Sequence, residues 1–413
     1  MSPETILIII LAIITADFIF EQILDYVNLR SGKSELPEEV AAFYEKEKYA
    51  EAISYQRAQA KFSFFTSAIS FITSFLLLSL GGFGYIDELL RPFFDNEIFL
   101  ALAYFGVLYV VSDLLTIPFQ LYDTFVIEEK YGFNKTTAGT FVGDKLKGYL
   151  LGMIIGGLLM GLLLYLILNM GQGFWIYFWI AIAIFTLFAN MFFTTLILPL
   201  YNKLTPLEEG ELKTAIEDYS KRINFPLDNI FVIDGSKRSN KANAFFSGIG
   251  KKKKIVLYDT LIKNHSTEEL VAILAHEVGH FKKKHIVFGF AISIIQTGVM
   301  LFIMSRMIFN ENLSLALGAE QMGVHLNLIA FGLLFTPISK VIGILANIVS
   351  RKNEYEADAY ANETYNGQAL SNALKKLSVD SLSNLYPHSA YVFVHYSHPP
   401  LLKRLDAIKK SSL

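Results

Sequence analysis

Seven runs of about 20 apolar residues leave this chain few folds to adopt. They lie near 5–25, 62–82, 98–120, 149–169, 174–198, 286–308 and 325–350. In lipid, backbone N–H and C=O groups must be satisfied internally, so each run reads as a membrane-spanning helix. The expected fold is therefore an α-helical polytopic membrane protein with seven transmembrane helices. Composition agrees, with 53% hydrophobic and only 18% charged residues. The first run is preceded by Met1-Ser2-Pro3-Glu4-Thr5, with no basic stretch, and runs into Asp17 and Glu21 with no small-residue cleavage site. It reads as a retained first span rather than a removed signal.

Basic residues alternate between the connections. The first carries Arg30, Lys33, Lys46, Lys48, Arg57 and Lys61, and the third carries Lys130, Lys135, Lys145 and Lys147. The second has only Arg91, the fourth has none, and the sixth has only Arg306. This pattern predicts the N-terminus outside, with the long fifth connection and the tail in the cytosol. Four segments follow: a membrane domain with five helices at 1–198, a cytosolic segment at 199–285, helices six and seven at 286–350, and a C-terminal segment at 351–413. Within the second, a helix is expected at about 208–222 and strands at 230–234, 243–246 and 255–258. A net charge of −2 points to no nucleic-acid partner. The absence of cysteine excludes thiolate ligands and thiol catalysis.

Chemistry enters at Leu274-Ala275-His276-Glu277-Val278-Gly279-His280, in an apolar helical run opened by Ser266-Thr267-Glu268-Glu269. His276 and His280 fall one turn apart on one helical face, so both imidazoles can reach one metal ion. Glu277 can lean over the same site as a general base toward a water activated by zinc. A catalytic zinc takes three protein ligands, so one more is needed, from His, Asp or Glu. The best candidates lie in Asn353-Glu354-Tyr355-Glu356-Ala357-Asp358. Glu354 and Asp358 share a face, so Glu354 could ligate while Asp358 holds a ligand imidazole; Glu356 points elsewhere. A solvated acidic helix start would show the same spacing.

Among the other histidines, His285 is out of phase with the ligand face and, beside Lys282-Lys283-Lys284, reads as an interfacial residue. His265 reads as a loop residue, and His325 falls on the opposite side of the membrane. His398 precedes Pro399-Pro400 and a helix start, where it could cap the helix or reach the site as a proton donor. The lysine run 251–254 reads as a solvated turn or an anionic-lipid contact. Asp17 and Asp113, costly in lipid, should face protein or water within the bundle.

Assembled, these residues resemble the type I CAAX prenyl endopeptidase family of membrane zinc metalloproteases. Ile127-Glu128-Glu129-Lys130-Tyr131-Gly132-Phe133-Asn134-Lys135 and Pro199-Leu200-Tyr201-Asn202-Lys203-Leu204-Thr205-Pro206 carry the specific part of the likeness. Ser239-Asn240-Lys241-Ala242-Asn243-Ala244-Phe245, the H-E-x-x-H and Ser397-His398-Pro399-Pro400 add to it. The resemblance implies seven helices around a water-filled chamber, capped by a small α+β gluzincin-like metalloprotease domain. It implies one Zn2+ per chain held by His276, His280 and Glu354, with Asp358 behind the ligands and Arg404 pairing with these acids. It further implies that Asn243, Ala244 and Phe245 offer an edge strand to the substrate and that His398 and Asn243 stabilise the oxyanion. Members cleave at a C-terminal CAAX box after its cysteine is prenylated, so a peptide or protein substrate, lipidated in that case, and membrane lipids are the expected partners. The chain is short for the family and looks like a bacterial member, which suggests the bacterial inner membrane, or the ER membrane in a eukaryote. Two other readings use the same features: a protease for quality control of membrane proteins, and a non-catalytic transporter or scaffold. The absence of internal repeats argues against the transporter.

Overall fold

The structure, a computed structural model, describes residues 1–225, 227, 229–247 and 254–411. Lys251–Lys253 of the basic run lie outside the described residues. Six helical stretches are long and apolar enough to cross a membrane: Pro3–Ser31, Lys46–Ser79, Glu97–Glu128, Ala138–Tyr201, His285–Met307 and Val324–Asp380. The count is six rather than the expected seven because the fourth stretch, of 64 residues, contains both the fourth and fifth expected spans. A short 3-10 turn at Gly171–Gly173, with Gly171 at φ 54°, folds it into a hairpin. Leu163, Leu164 and Ile167 of one arm pack with Phe174 and Phe178 of the other. Leu158, Ile184, Val287 and Leu345 are more than half exposed, a surface suited to lipid contact rather than to water.

Several charged groups on or beside the apolar spans find partners inside the bundle, which offsets their desolvation cost. Asp113 accepts from Lys145 and from the Tyr149 hydroxyl. Lys340 pairs with both Asp17 and Glu21, and His395 Nε2 lies 3.0 Å from Glu21. His325 and Asp87, both fully buried, pair at 2.9 Å. His325 begins the 38-residue helix Val324–Ala361, and Glu354 lies toward its other end. At 1.5 Å per residue the two are roughly 44 Å apart, about the full thickness of a bilayer.

The segment between the fifth and sixth expected spans folds as a four-stranded sheet packed on helices. Its strands are β1 Leu204–Pro206, β2 Asn229–Ile233, β3 Ala244–Ser247 and β4 Lys254–Tyr258. The order is β1-β2-β4-β3, with β2 and β4 parallel and the outer pairs antiparallel. β1 was not expected; it is three residues long and ends in proline, too short to show a period-2 pattern. β3 is an edge strand, paired on one side with β4 and, among the described residues, unpaired on the other. Ile230, Ile255 and Leu257 from the sheet close a core with Leu270, Val271 and Leu274 of the helix Thr267–Lys282. This core fixes the helix that carries the histidines. His265 lies, as expected, in the connection after the helix Asp259–Asn264, where it is buried with Nδ1 3.1 Å from the Leu261 carbonyl.

Candidate metal centre

The helix Thr267–Lys282 starts where Ser266 accepts from the Glu269 N–H while the Glu269 carboxylate accepts from the Ser266 N–H, a reciprocal cap. That fixed start sets the phase that points His276 and His280 the same way. Opposite them runs the long helix Val324–Ala361, which contributes Glu354 and Asp358, both buried. The two helices approach closely because residue 279 is glycine. A Cβ there would sit 2.9 Å from Ala357 Cα. Gly279→Val should therefore push the helices apart, destabilising the fold by about 1–3 kcal/mol and separating Glu354 from the histidines. Thermal unfolding together with metal retention would measure both effects; wild-type metal affinity in this variant would show that the spacing does not matter.

His276 Nε2 and His280 Nε2 lie 3.2 Å apart. Glu354 Oε1 is 3.2 Å from His280 Nε2, and its Oε2 is 3.5 Å from His276 Nε2. Ligand atoms at 2.0–2.1 Å from a tetrahedral ion are separated by about 3.3–3.4 Å, so the three groups have the spacing of three corners of such a site. Glu354 Oε2 is fully buried and has no hydrogen bond among the described residues, its charged neighbour Arg404 Nη1 standing off at 3.4 Å, and an ion would satisfy it. Charge points the same way. Three carboxylates, Glu277, Glu354 and Asp358, surround one permanent cation, Arg404, and the surplus of two negative charges matches a dication. Among the described residues this is the one group of three such side chains close enough to hold a metal.

Behind the tripod, His276 Nδ1 lies 2.8 Å from Asp358 Oδ1. With the proton on Nδ1 donated to Asp358, Nε2 keeps its lone pair for an ion. Arg404 grips Asp358 with two bonds, Nε to Oδ2 at 2.8 Å and one terminal nitrogen to Oδ1 at 2.6 Å. Burial works against the guanidinium charge, but the Asp358 carboxylate outweighs it and pushes the Arg404 pKa up. Arg404 also lies 3.4 Å from Glu354.

Glu277 is half-buried and makes no hydrogen bond or ion pair among the described residues. Burial pushes its carboxyl above the usual carboxylate range, which strengthens it as a base. His398 brings Nε2 to 3.3 Å from Glu354 Oε1 with its side chain still 64% exposed, so it faces the site from the open side rather than capping a helix. His398 and Arg404 line a groove of about 460 Å³. Through Gln56, Ser383 and Asn384 this groove borders a second cavity, of about 240 Å³, reached by Arg57 and Asp25. Asn243 is exposed just before β3; its Oδ1 accepts from the Ala244 N–H at 2.8 Å, and its amide N–H groups make no hydrogen bond among the described residues.

One side chain at the site departs from the expectation, and a second adds a contact that the spacing did not suggest. His285 is buried rather than interfacial, its Nδ1 3.1 Å from His280 Nδ1. Glu356 points away from the tripod but toward His285 Nε2, at 3.2 Å. His285 does not follow the phase of His276 and His280, because the helix that carries them ends at Lys282. Lys284 adopts φ 60° and breaks it.

Residues 25–203 match the family described as CAAX prenyl protease N-terminal, five membrane helices, and residues 206–412 match Peptidase family M48. The chain belongs to the M48 peptidases of the CAAX prenyl protease type. It is thus an integral, multi-pass membrane metalloendopeptidase, and the transporter or scaffold reading falls away. Among its relatives, the probable CAAX prenyl protease 1 of Schizosaccharomyces pombe is 36% identical over 91% of this chain and 82% of its own length. The CAAX prenyl protease 1 of Saccharomyces cerevisiae is 32% identical over 95% of this chain and 93% of its own length. The Homo sapiens homolog is 34% identical, over 91% and 88%. The crystal structure of S. mikatae Ste24p superposes with a TM-score of 0.93 at 33% identity, covering 98% of this chain and 99% of that one.

Proposed function

We propose that this protein is a zinc endopeptidase that cuts near the C-terminus of CAAX-type, prenylated peptides, with its catalytic segments at the cytosolic face. The observation that carries this reading is the tripod of His276, His280 and Glu354, with a buried carboxylate oxygen that has no hydrogen bond among the described residues, in a chain that aligns along nearly its whole length with CAAX prenyl proteases. Two imidazoles and a carboxylate suit zinc, and a fourth position is left for chemistry. When bound there, zinc supplies Lewis acidity, polarising the scissile carbonyl and lowering the pKa of water.

The chain's own residues do the rest. Glu277, unpartnered and raised in pKa by burial, takes the proton of the attacking water and passes it to the leaving amine. His398 and the amide N–H groups of Asn243 donate to the oxyanion as charge develops on it. The substrate backbone adds as a strand to the open edge of β3 at Ala244–Phe245. Asp358 holds His276 in one tautomer, and Arg404 holds Asp358. The basic first and third connections support the cytosolic placement.

Cleavage-site mapping on prenylated and unprenylated versions of one CAAX peptide tests the substrate. A single cut after the modified cysteine, faster by tenfold or more with the lipid (about 1.4 kcal/mol of added transition-state binding), is expected. Scattered cuts with no preference for the lipid would instead support a quality-control protease.

A further inference from the structure

Each ligand imidazole in a metal site is ordinarily oriented by a partner on its second nitrogen. For His276 that partner is Asp358. For His280 the structure supplies a relay of two side chains, neither of which lies in the H-E-x-x-H signature. The signature helix ends at Lys282, and Lys284 takes φ 60° and ψ 25°, a left-handed conformation that a lysine rarely adopts. The chain restarts as the helix His285–Met307, and the change of direction turns His285 back onto His280. The rings meet edge to face at 75°, with centroids 5.2 Å apart.

One placement of protons satisfies every contact. His280 Nε2 faces His276 Nε2 and Glu354 Oε1, so as a ligand atom it carries no proton. The proton of neutral His280 then sits on Nδ1 and is donated to His285 Nδ1, 3.1 Å away. His285 accepts there, so its own proton is on Nε2, 3.2 Å from Glu356 Oε2. His285 is buried, while Glu356 is partly exposed with Lys352 Nζ 3.8 Å away. Both ligand histidines thus end on a carboxylate of the same long helix, His276 on Asp358 directly and His280 on Glu356 through His285.

We propose that His285 and Glu356 are positioning residues for the metal ligand His280, fixing its tautomer and ring orientation and tying the metal site to the first residue of the next membrane helix. The proposal rests on the reading of His276, His280 and Glu354 as ligands. It is tested by zinc titration of the full chain in detergent against a chelator of known affinity, with far-ultraviolet circular dichroism as the check on folding. Wild type should take up one zinc per chain. Loss of an outer partner of this kind weakens metal binding by about 10–100-fold, the drop expected for His285→Phe, whereas His285→Asn, whose amide oxygen can replace Nδ1 as acceptor, should stay within about threefold of wild type. Glu356→Ala, at a partly exposed position where misfolding is not a concern, should weaken binding severalfold. Wild-type zinc affinity in both His285→Phe and Glu356→Ala would overturn the proposal. So would His285→Asn failing as badly as His285→Phe, because the contact would then be one of packing alone. A wild type that takes up no zinc would overturn the ligand reading itself, and the wild-type arm thus tells the two failures apart.

Discussion

Glu277→Gln should lower peptide hydrolysis by roughly 10²–10⁴-fold, the usual contribution of a positioned general base, while one zinc per chain remains bound. The amide keeps the shape of the side chain but cannot take the proton of the attacking water. Glu277 is suited to that task because nothing else claims it: among the described residues it has no hydrogen bond and no ion pair. It sits between the two ligand histidines in sequence, yet the tripod is complete without it. Hydrolysis rates and metal content, measured on the same preparation, separate the two roles. Loss of zinc together with activity would make Glu277 a ligand, and hydrolysis at the wild-type rate would move the base elsewhere.

Glu354→Ala should have the larger effect on the metal. Its carboxylate lies within 3.5 Å of His276 Nε2 and His280 Nε2 and is buried. Removing it leaves two imidazoles and no third ligand, so zinc affinity should fall by more than the roughly 10–100-fold expected when an outer partner such as Asp358 is changed to Asn. Activity should vanish with the metal. Metal analysis after equilibration with a weak chelator would decide the matter: a Glu354→Ala chain that still holds one zinc as tightly as Asp358→Asn would show that the third ligand lies elsewhere. The rank order matters here, because both acids come from one turn of one helix.

Much of this was legible in the sequence because it depends on local periodicity. Apolar runs of membrane length located the spans, and the i, i+4 spacing of His276 with His280 and of Glu354 with Asp358 put each pair on one face. What sequence could not show depends on breaks in periodicity and on contacts across the chain. A glycine turn merged two expected spans into one hairpin stretch. A left-handed lysine returned His285 to a face that a continuous helix would have denied it. β1 gained its place only by pairing with β2, more than 20 residues on. Spacing alone left Glu354 as one acid among several, and the distances to His276 and His280 distinguish it. Asn243 was suggested by resemblance alone and His398 by its place before Pro399-Pro400; His398 lies against Glu354, and Asn243, at an open strand edge, has amide N–H groups with no partner among the described residues.

In the proposed function, hydrolysis depends on an ion held by His276, His280 and Glu354. The most direct measurement is peptide cleavage by the purified full chain before chelation, after it, and after zinc is restored. Cleavage should be lost in step with the metal and should recover at one equivalent of zinc per chain. Undiminished cleavage by a chain shown to be free of metal would contradict that dependence.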